Sequence, residues 1–159
     1  MRVVRVTGEG ETGQAGAPTL HWILSRRECI IILGAGELRG DALACALHSD
    51  YFVMHPDATL VIDTPRAWSG VVWRMGRRAL RLTDTTLDVT EARRHALCDA
   101  VDVDVEWIAS RSAVALDSAA SLIARRGGDA LERAEFARLF AAGEPQRGLT
   151  AFLEKRRRL

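Results

Sequence analysis

An α/β fold with a helical C-terminal extension is predicted by three observations. Short apolar runs at Val3 to Val6, Cys29 to Leu33, Tyr51 to Met54 and Thr59 to Ile62 have the length and composition of strands. A helical pattern separates the second run from the third, because Arg39 to His48 carries Ala42, Leu43, Ala46 and Leu47 at core-facing spacing. From Asp88 onward only helical patterns remain. Strands interleaved with helices, then helices alone, give this class.

The elements follow in order. Val3 to Val6 ends at Thr7-Gly8, and Glu9 to Thr19 holds Gly10, Gly13, Gly16 and Pro18, which makes it a loop. Cys29 to Leu33 is apolar at every residue, as in a strand covered on both faces. Asp63 to Gly76, with Pro65, Gly70, Trp68 and Trp73, has no clear period, and Asp63-Thr64-Pro65 reads as a turn. The tryptophans Trp68, Trp73 and Trp107 read as core or subunit-interface anchors. Asp88, with Glu91 three residues on, opens a helix through Leu97. Asp104 to Arg126 is a long alanine-rich helix stopped by Gly127-Gly128. Asp129 to Ala141 and Gln146 to Arg157 complete the tail. Residues 1–100 thus read as a core and 101–159 as its helical extension, in one structural unit.

Composition narrows the function classes. The 159 residues are 48% hydrophobic and 27% charged, an ordinary globular balance. A formal net charge of +1 gives no global basic field, which argues against a nucleic-acid partner. Cys29, Cys45 and Cys98 are odd in number and unrelated in spacing, as expected for buried free thiols in a reducing compartment. The opening MRVVRVTGEG has no apolar signal core, and no run approaches membrane-spanning length. The cytoplasm is the expected location, with no membrane partner. No spacing of His, Cys and Asp supports a metal site. His48 and His55 flank the Tyr51 to Met54 strand, where a helix end and a turn are their simplest assignments.

The densest signal is Cys29 to Asp50, in which an apolar run meets Gly34-Ala35-Gly36-Glu37-Leu38-Arg39-Gly40 and a small-residue helix follows. The first N–H groups of a helix lack internal partners and carry partial positive charge. They suit either a dinucleotide pyrophosphate or a thioester oxygen that becomes negative during reaction. The dinucleotide fingerprint requires an acidic residue at the end of the next strand. That strand ends instead in His55-Pro56-Asp57.

Four segments, one of them within this stretch, carry a resemblance. Val4-Arg5-Val6-Thr7-Gly8-Glu9-Gly10 with Ala15-Gly16-Ala17 resembles a VxLTGxG strand leading into an AGxD loop. Gly36 to Asp50 resembles NGxxxGGGxELALACD, with Gly40-Asp41-Ala42 over the triple glycine. Leu80 to Asp99 resembles ALELLLTGxxIxAxEAxxxGLVD, and Arg147 to Arg156 resembles EGxxAFxEKR. These motifs, in this order, are those of the crotonase (enoyl-CoA hydratase/isomerase) family, of which the chain looks like a shortened and divergent member.

The resemblance implies repeated ββα turns, the fold shared by crotonase and ClpP, with a helical C-terminal extension that mediates trimerisation, so a homotrimer or hexamer. It implies an acyl-CoA or acyl-carrier thioester as ligand, with coenzyme A as part of the substrate and no separate cofactor. The oxyanion hole would be the N–H groups of Ala17 and Asp41. Phe152 and Lys155 would contact coenzyme A. The family's paired glutamates fall on Ala44 and Thr64; Asp63, beside Thr64, is then the candidate catalytic carboxylate, and Asp41 reads first as a helix-start cap, with a catalytic acid or base role as its alternative. Hydratase, isomerase or lyase-type chemistry through a stabilised enolate is the implied activity. The absence of the glutamate pair keeps a second expectation in play, a catalytically degenerate partner or scaffold subunit for another enzyme. A dinucleotide-binding protein is the third.

Overall fold

The computed structural model describes residues 2–7, 19–25, 28–103, 112–124 and 128–157. Ala17, Trp107, the body of the predicted glycine loop and the first part of the Asp104 to Arg126 helix lie outside the described residues. The chain divides into two compact units, one of residues 2–26 with 30–103, the other chiefly of 104–159 with 27–29.

The first unit holds two sheets. Strands β1 (Arg2–Thr7), β2 (Ile30–Ala35), β4 (Tyr51–Met54) and β7 (Ala100–Val101) form a parallel sheet in the order β1-β2-β4-β7. Strands β3 (Glu37–Arg39), β5 (Thr59–Val61) and β6 (Thr86–Leu87) form the second, with β3 and β5 parallel and β6 antiparallel to β5. Registers include Ile32 opposite Phe52 and Leu38 opposite Leu60. Ile30, Ile31 and Ile32 are wholly buried, as the uniformly apolar run requires of a strand covered on both faces. Edge strand β1 alternates between exposed and half-buried residues from Val3 to Thr7.

Helices α1 (Leu20–Ser25), α2 (Gly40–Leu47), α3 (Pro65–Met75) and α4 (Val89–Arg94) complete this unit, with a 3-10 turn at Gly76–Arg81. Helix α3 corrects the reading of Asp63-Thr64-Pro65 as a plain turn. Thr64 is an N-cap whose Oγ1 accepts from Ala67 N at 3.2 Å, and Pro65 follows in the first helical turn. Asp88 caps α4 in the same way, accepting from Glu91 N at 2.8 Å.

Helices α2 and α3 meet at a glycine. A Cβ placed on Gly70 would lie 2.5 Å from Leu47 Cβ, an atom fixed to its own helix backbone. Gly70→Ala is therefore expected to separate the two helices, at a cost of about 1–3 kcal/mol in chemical denaturation. An unchanged midpoint would show that the helices part without strain.

Arg74, on the last turn of α3, bonds the same end of α2. Its Nε donates to Leu47 O at 2.9 Å, Nη2 to Ser49 O at 3.3 Å and Nη1 to Asp99 Oδ2 at 2.9 Å. Asp99 Oδ2 also accepts from Phe52 N at 2.7 Å. Asp50 does the same for the neighbouring strand, accepting from Ile30 N at 2.8 Å. These carboxylates satisfy N–H groups at the starts of β2 and β4 that no preceding ladder bond reaches.

The second unit is helical: α5 (Ala113–Ala124), α6 (Asp129–Ala141) and α7 (Glu144–Arg157). Gly128 stands as the N-cap of α6, and Gly143, with φ 75°, separates α6 from α7. Helix α7 starts two residues before the predicted Gln146. Glu144, almost fully buried, accepts from Ser112 Oγ and pairs with Arg147 Nη1 at 2.7 Å. Asp117 Oδ1 accepts from Cys29 N at 2.8 Å. Apolar groups stay in solvent along these helices: Phe136, Phe140, Leu149, Phe152 and Leu153 are each about half exposed or more. The rings of Phe136 and Phe140 meet at a tilt of 47°, with centroids 4.6 Å apart.

Candidate functional site

The glycine stretch is not a simple turn from strand to helix. β2 ends at Ala35, Gly36 reverses the chain at φ 67°, β3 joins the second sheet, and Gly40 reverses it again at φ 53° to open α2. Both glycines occupy backbone space that side chains rarely adopt. Gly34 is needed for a different reason: a Cβ there would lie 2.5 Å from Leu38 Cδ1 and 2.8 Å from Phe52 Cε2. Because β3 intervenes, the direct strand-to-helix turn that a dinucleotide site uses is not made.

The head of α2 gathers charged groups. Arg39 occupies the N-cap position without a side-chain cap bond. Gly40 N donates to Asp63 Oδ1 at 3.3 Å, so Asp63, from just before α3, supplies an acceptor to the first helical N–H, one of those without a partner inside the helix. Asp63 Oδ2 lies 3.3 Å from Arg39 Nε, which is also 3.3 Å from Glu37 Oε1. Asp41, in the first turn, does not cap the helix. Both its oxygens accept from Arg66 Nη1, at 2.9 and 2.7 Å. That contact holds the Arg66 guanidinium above its ordinary pKa.

The two sequence-predicted carboxylates thus stand at one helix end, each paired with an arginine. All four side chains are at least one-third exposed, so these pairs orient groups more than they stabilise the fold. Arg39 and Arg66 were not singled out by the sequence. Arg66 is 25 residues from Asp41, beyond any local pattern.

The remaining expected residues are placed as follows. Ala44 is fully buried in α2, and Thr64 spends its hydroxyl on the α3 N-terminus, so neither position of the glutamate pair offers an acid or base. Phe152 and Lys155 stand three residues apart on α7, in the helical unit, and Phe152 is 57% exposed. The side chain of Lys155 lies outside the described residues. His48 is the C-cap of α2, with Nε2 3.2 Å from Ser69 Oγ and its ring 5.9 Å from that of Trp73. Trp73 itself is 48% exposed, which removes the core alternative from its reading as a core or subunit-interface anchor, whereas Trp68 packs against the core. His55 follows β4, and its Nδ1 accepts from Asp57 N at 3.3 Å. Among the described residues, no group of three His, Cys, Asp or Glu side chains is arranged to hold a metal ion.

The three thiols are buried and unpaired with one another. Burial, with Asp41 four residues earlier on the same helix, pushes Cys45 up from 9.0 to about 11, and burial raises Cys98 as well. The folded state then binds more protons than the unfolded chain between about pH 9 and 11. Stability contributed by Cys45 is complete below pH 9 and declines as pH rises through that window. Denaturation midpoints measured from pH 8 to 11 should fall, and fall less in Cys45→Ala. Equal slopes for both proteins would refute the assignment.

No family model matches the sequence, and no curated protein matches it. Solved structures do match. An enoyl-CoA hydratase from Thermoplasma volcanium GSS1 superposes with a TM-score of 0.70 at 20% identity, over 83% of this chain and 63% of that one. This chain has the crotonase fold. An enoyl-CoA hydratase/isomerase from Marinobacter aquaeolei matches with a TM-score of 0.63 at 20% identity, over 86% of this chain and 62% of that one. DspI from Pseudomonas aeruginosa matches with a TM-score of 0.62 at 25% identity, over the same shares. The chain therefore spans somewhat less than two thirds of the crotonase-fold structures it matches.

Proposed function

We propose that this crotonase-fold chain binds an acyl thioester, carried on coenzyme A or on a carrier protein, and stabilises its enolate at the head of α2. The observation that carries the reading is the α2 N-terminus, opened by Gly40 at φ 53°, within a fold matched to enoyl-CoA hydratase structures. First-turn N–H groups there have no partner within the helix and suit a developing oxyanion. Asp41 N–H is one donor and Ala17 N–H the other. Phe152 and Lys155 cover the coenzyme A moiety. One of the two carboxylates at this helix end, Asp41 or Asp63, moves the proton that hydratase, isomerase or lyase-type chemistry requires.

The ββα repeat and a trimeric or hexameric assembly belong to the same proposal, as does a cytoplasmic location. The half-exposed apolar side chains of α6 and α7 support association through the helical extension. A second reading is a catalytically degenerate partner subunit that keeps the thioester pocket. The buried methyl of Ala44 and the capping role of Thr64 favour it.

Thermal stability with CoA, crotonyl-CoA, malonyl-CoA and NAD, alongside mass in solution, tests these readings. A ligand at a hundred times its dissociation constant adds about 2.7 kcal/mol. A shift with CoA species and none with NAD is expected, together with a mass of three chains or six. A flat response to every CoA species would refute thioester binding. Turnover of any acyl-CoA by the pure protein would eliminate the degenerate reading.

A further inference from the structure

The head of α2 holds two carboxylates, and their contacts differ in kind. Asp41 meets a side chain, both its oxygens accepting from Arg66 Nη1. Asp63 meets the backbone: its Oδ1 accepts from Gly40 N, while its Oδ2 faces Arg39 Nε, the residue immediately before Gly40. Asp63 also immediately precedes Thr64, which caps α3. One side chain thereby ties the start of α3 to the peptide that opens α2. That peptide joins Arg39, paired with Val61 in the second sheet, to Gly40, which opens α2 at φ 53°. The direction of the next N–H, that of Asp41, depends on how this peptide plane is held.

We infer that Asp63 is a positioning residue: through Gly40 N–H and Arg39 it sets the peptide that aims the Asp41 N–H, and it does not itself transfer the proton. This assignment rests on the thioester reading above and divides the roles left open there, with proton transfer falling to Asp41. A carboxamide keeps the acceptor oxygen for Gly40 N–H and gives up only the exposed charge pair with Arg39, a contact of small worth. An alanine gives up both. Displacement of a reacting-group contact by a fraction of an ångström is costly out of proportion to the bond removed.

The test uses Asp63→Asn and Asp63→Ala in the full chain, with two readouts. Amide hydrogen exchange at Gly40, followed by NMR, is expected to be slow in the wild type and in Asp63→Asn, and about tenfold faster in Asp63→Ala. Crotonyl-CoA affinity, by calorimetry, is expected to fall about tenfold or more in Asp63→Ala, with most of that loss restored in Asp63→Asn. Equal losses in the two variants would overturn the assignment. So would a Gly40 amide that exchanges as fast in the wild type as in Asp63→Ala. Loss of turnover in Asp63→Asn with affinity intact would return Asp63 to acid/base chemistry. If the wild type binds no crotonyl-CoA while Gly40 shows the expected exchange pattern, the thioester reading falls and the backbone role of Asp63 stands.

Discussion

Phe52→Ala is expected to lower the free energy of unfolding by about 3–5 kcal/mol. Phe52 is fully buried in β4, at the middle of the parallel sheet, with the face of its ring 6.0 Å from the Arg74 guanidinium. Truncation removes the largest fully buried side chain among the described residues and leaves a cavity against Gly34, whose absent Cβ is what lets the ring approach. Urea unfolding should show the loss as a shift in midpoint at constant slope. A companion variant locates the effect. Gly34→Ala clashes with Phe52 and Leu38 in the wild type, so its cost should shrink once Phe52 is alanine. Additive costs would show that the two positions do not share space.

Arg74→Ala is expected to cost about 2–4 kcal/mol, toward the lower end of losses from broken buried pairs because Asp99 keeps some solvent. The Arg74 side chain is 10% exposed and that of Asp99 31% exposed. Removing the guanidinium strands Leu47 O and Ser49 O at the end of α2 and leaves Asp99 with a negative charge beside the first residues of β4. Arg74→Lys should recover only part of the loss, since a single ammonium cannot reach three acceptors spread over Leu47, Ser49 and Asp99. Full recovery by lysine would mean that charge alone matters here.

Periodicity made much of this fold legible. β4 runs from Tyr51 to Met54 as its apolar run requires, and α6 covers the Asp129 to Ala141 stretch read as helix. What was misread in Asp63-Thr64-Pro65 was legible too: a threonine before a proline suits a helix N-cap and first turn as well as it suits a turn. β3 was hidden for another reason. Three residues between two glycines are too few for any period, and their pairing with β5 is decided by the second sheet.

The site divides in the same way. Asp41 and Asp63 were singled out from motif position, and they do share one end of α2. Their partners Arg66 and Arg39 were not foreseen, because an ion pair between residues more than twenty positions apart leaves no local trace. The solvent exposure of Trp73 was likewise invisible, since an aromatic at helical spacing fits a core and an outer face alike.

The parallel sheet also fixes how this chain must find its structure. Arg2 pairs with Ile30, Ile31 with Tyr51 and Val53 with Ala100, so every ladder in that sheet joins segments about twenty residues apart or more. No hairpin can nucleate it, and each pairing closes a long loop before any contact rewards the lost chain entropy. Refolding of the strand-bearing unit should accordingly run on the millisecond-to-second scale of non-local topologies, behind local helix formation in α6 and α7. During that interval the six-residue edge of β1, rich in valine, is the segment open to pairing with another chain.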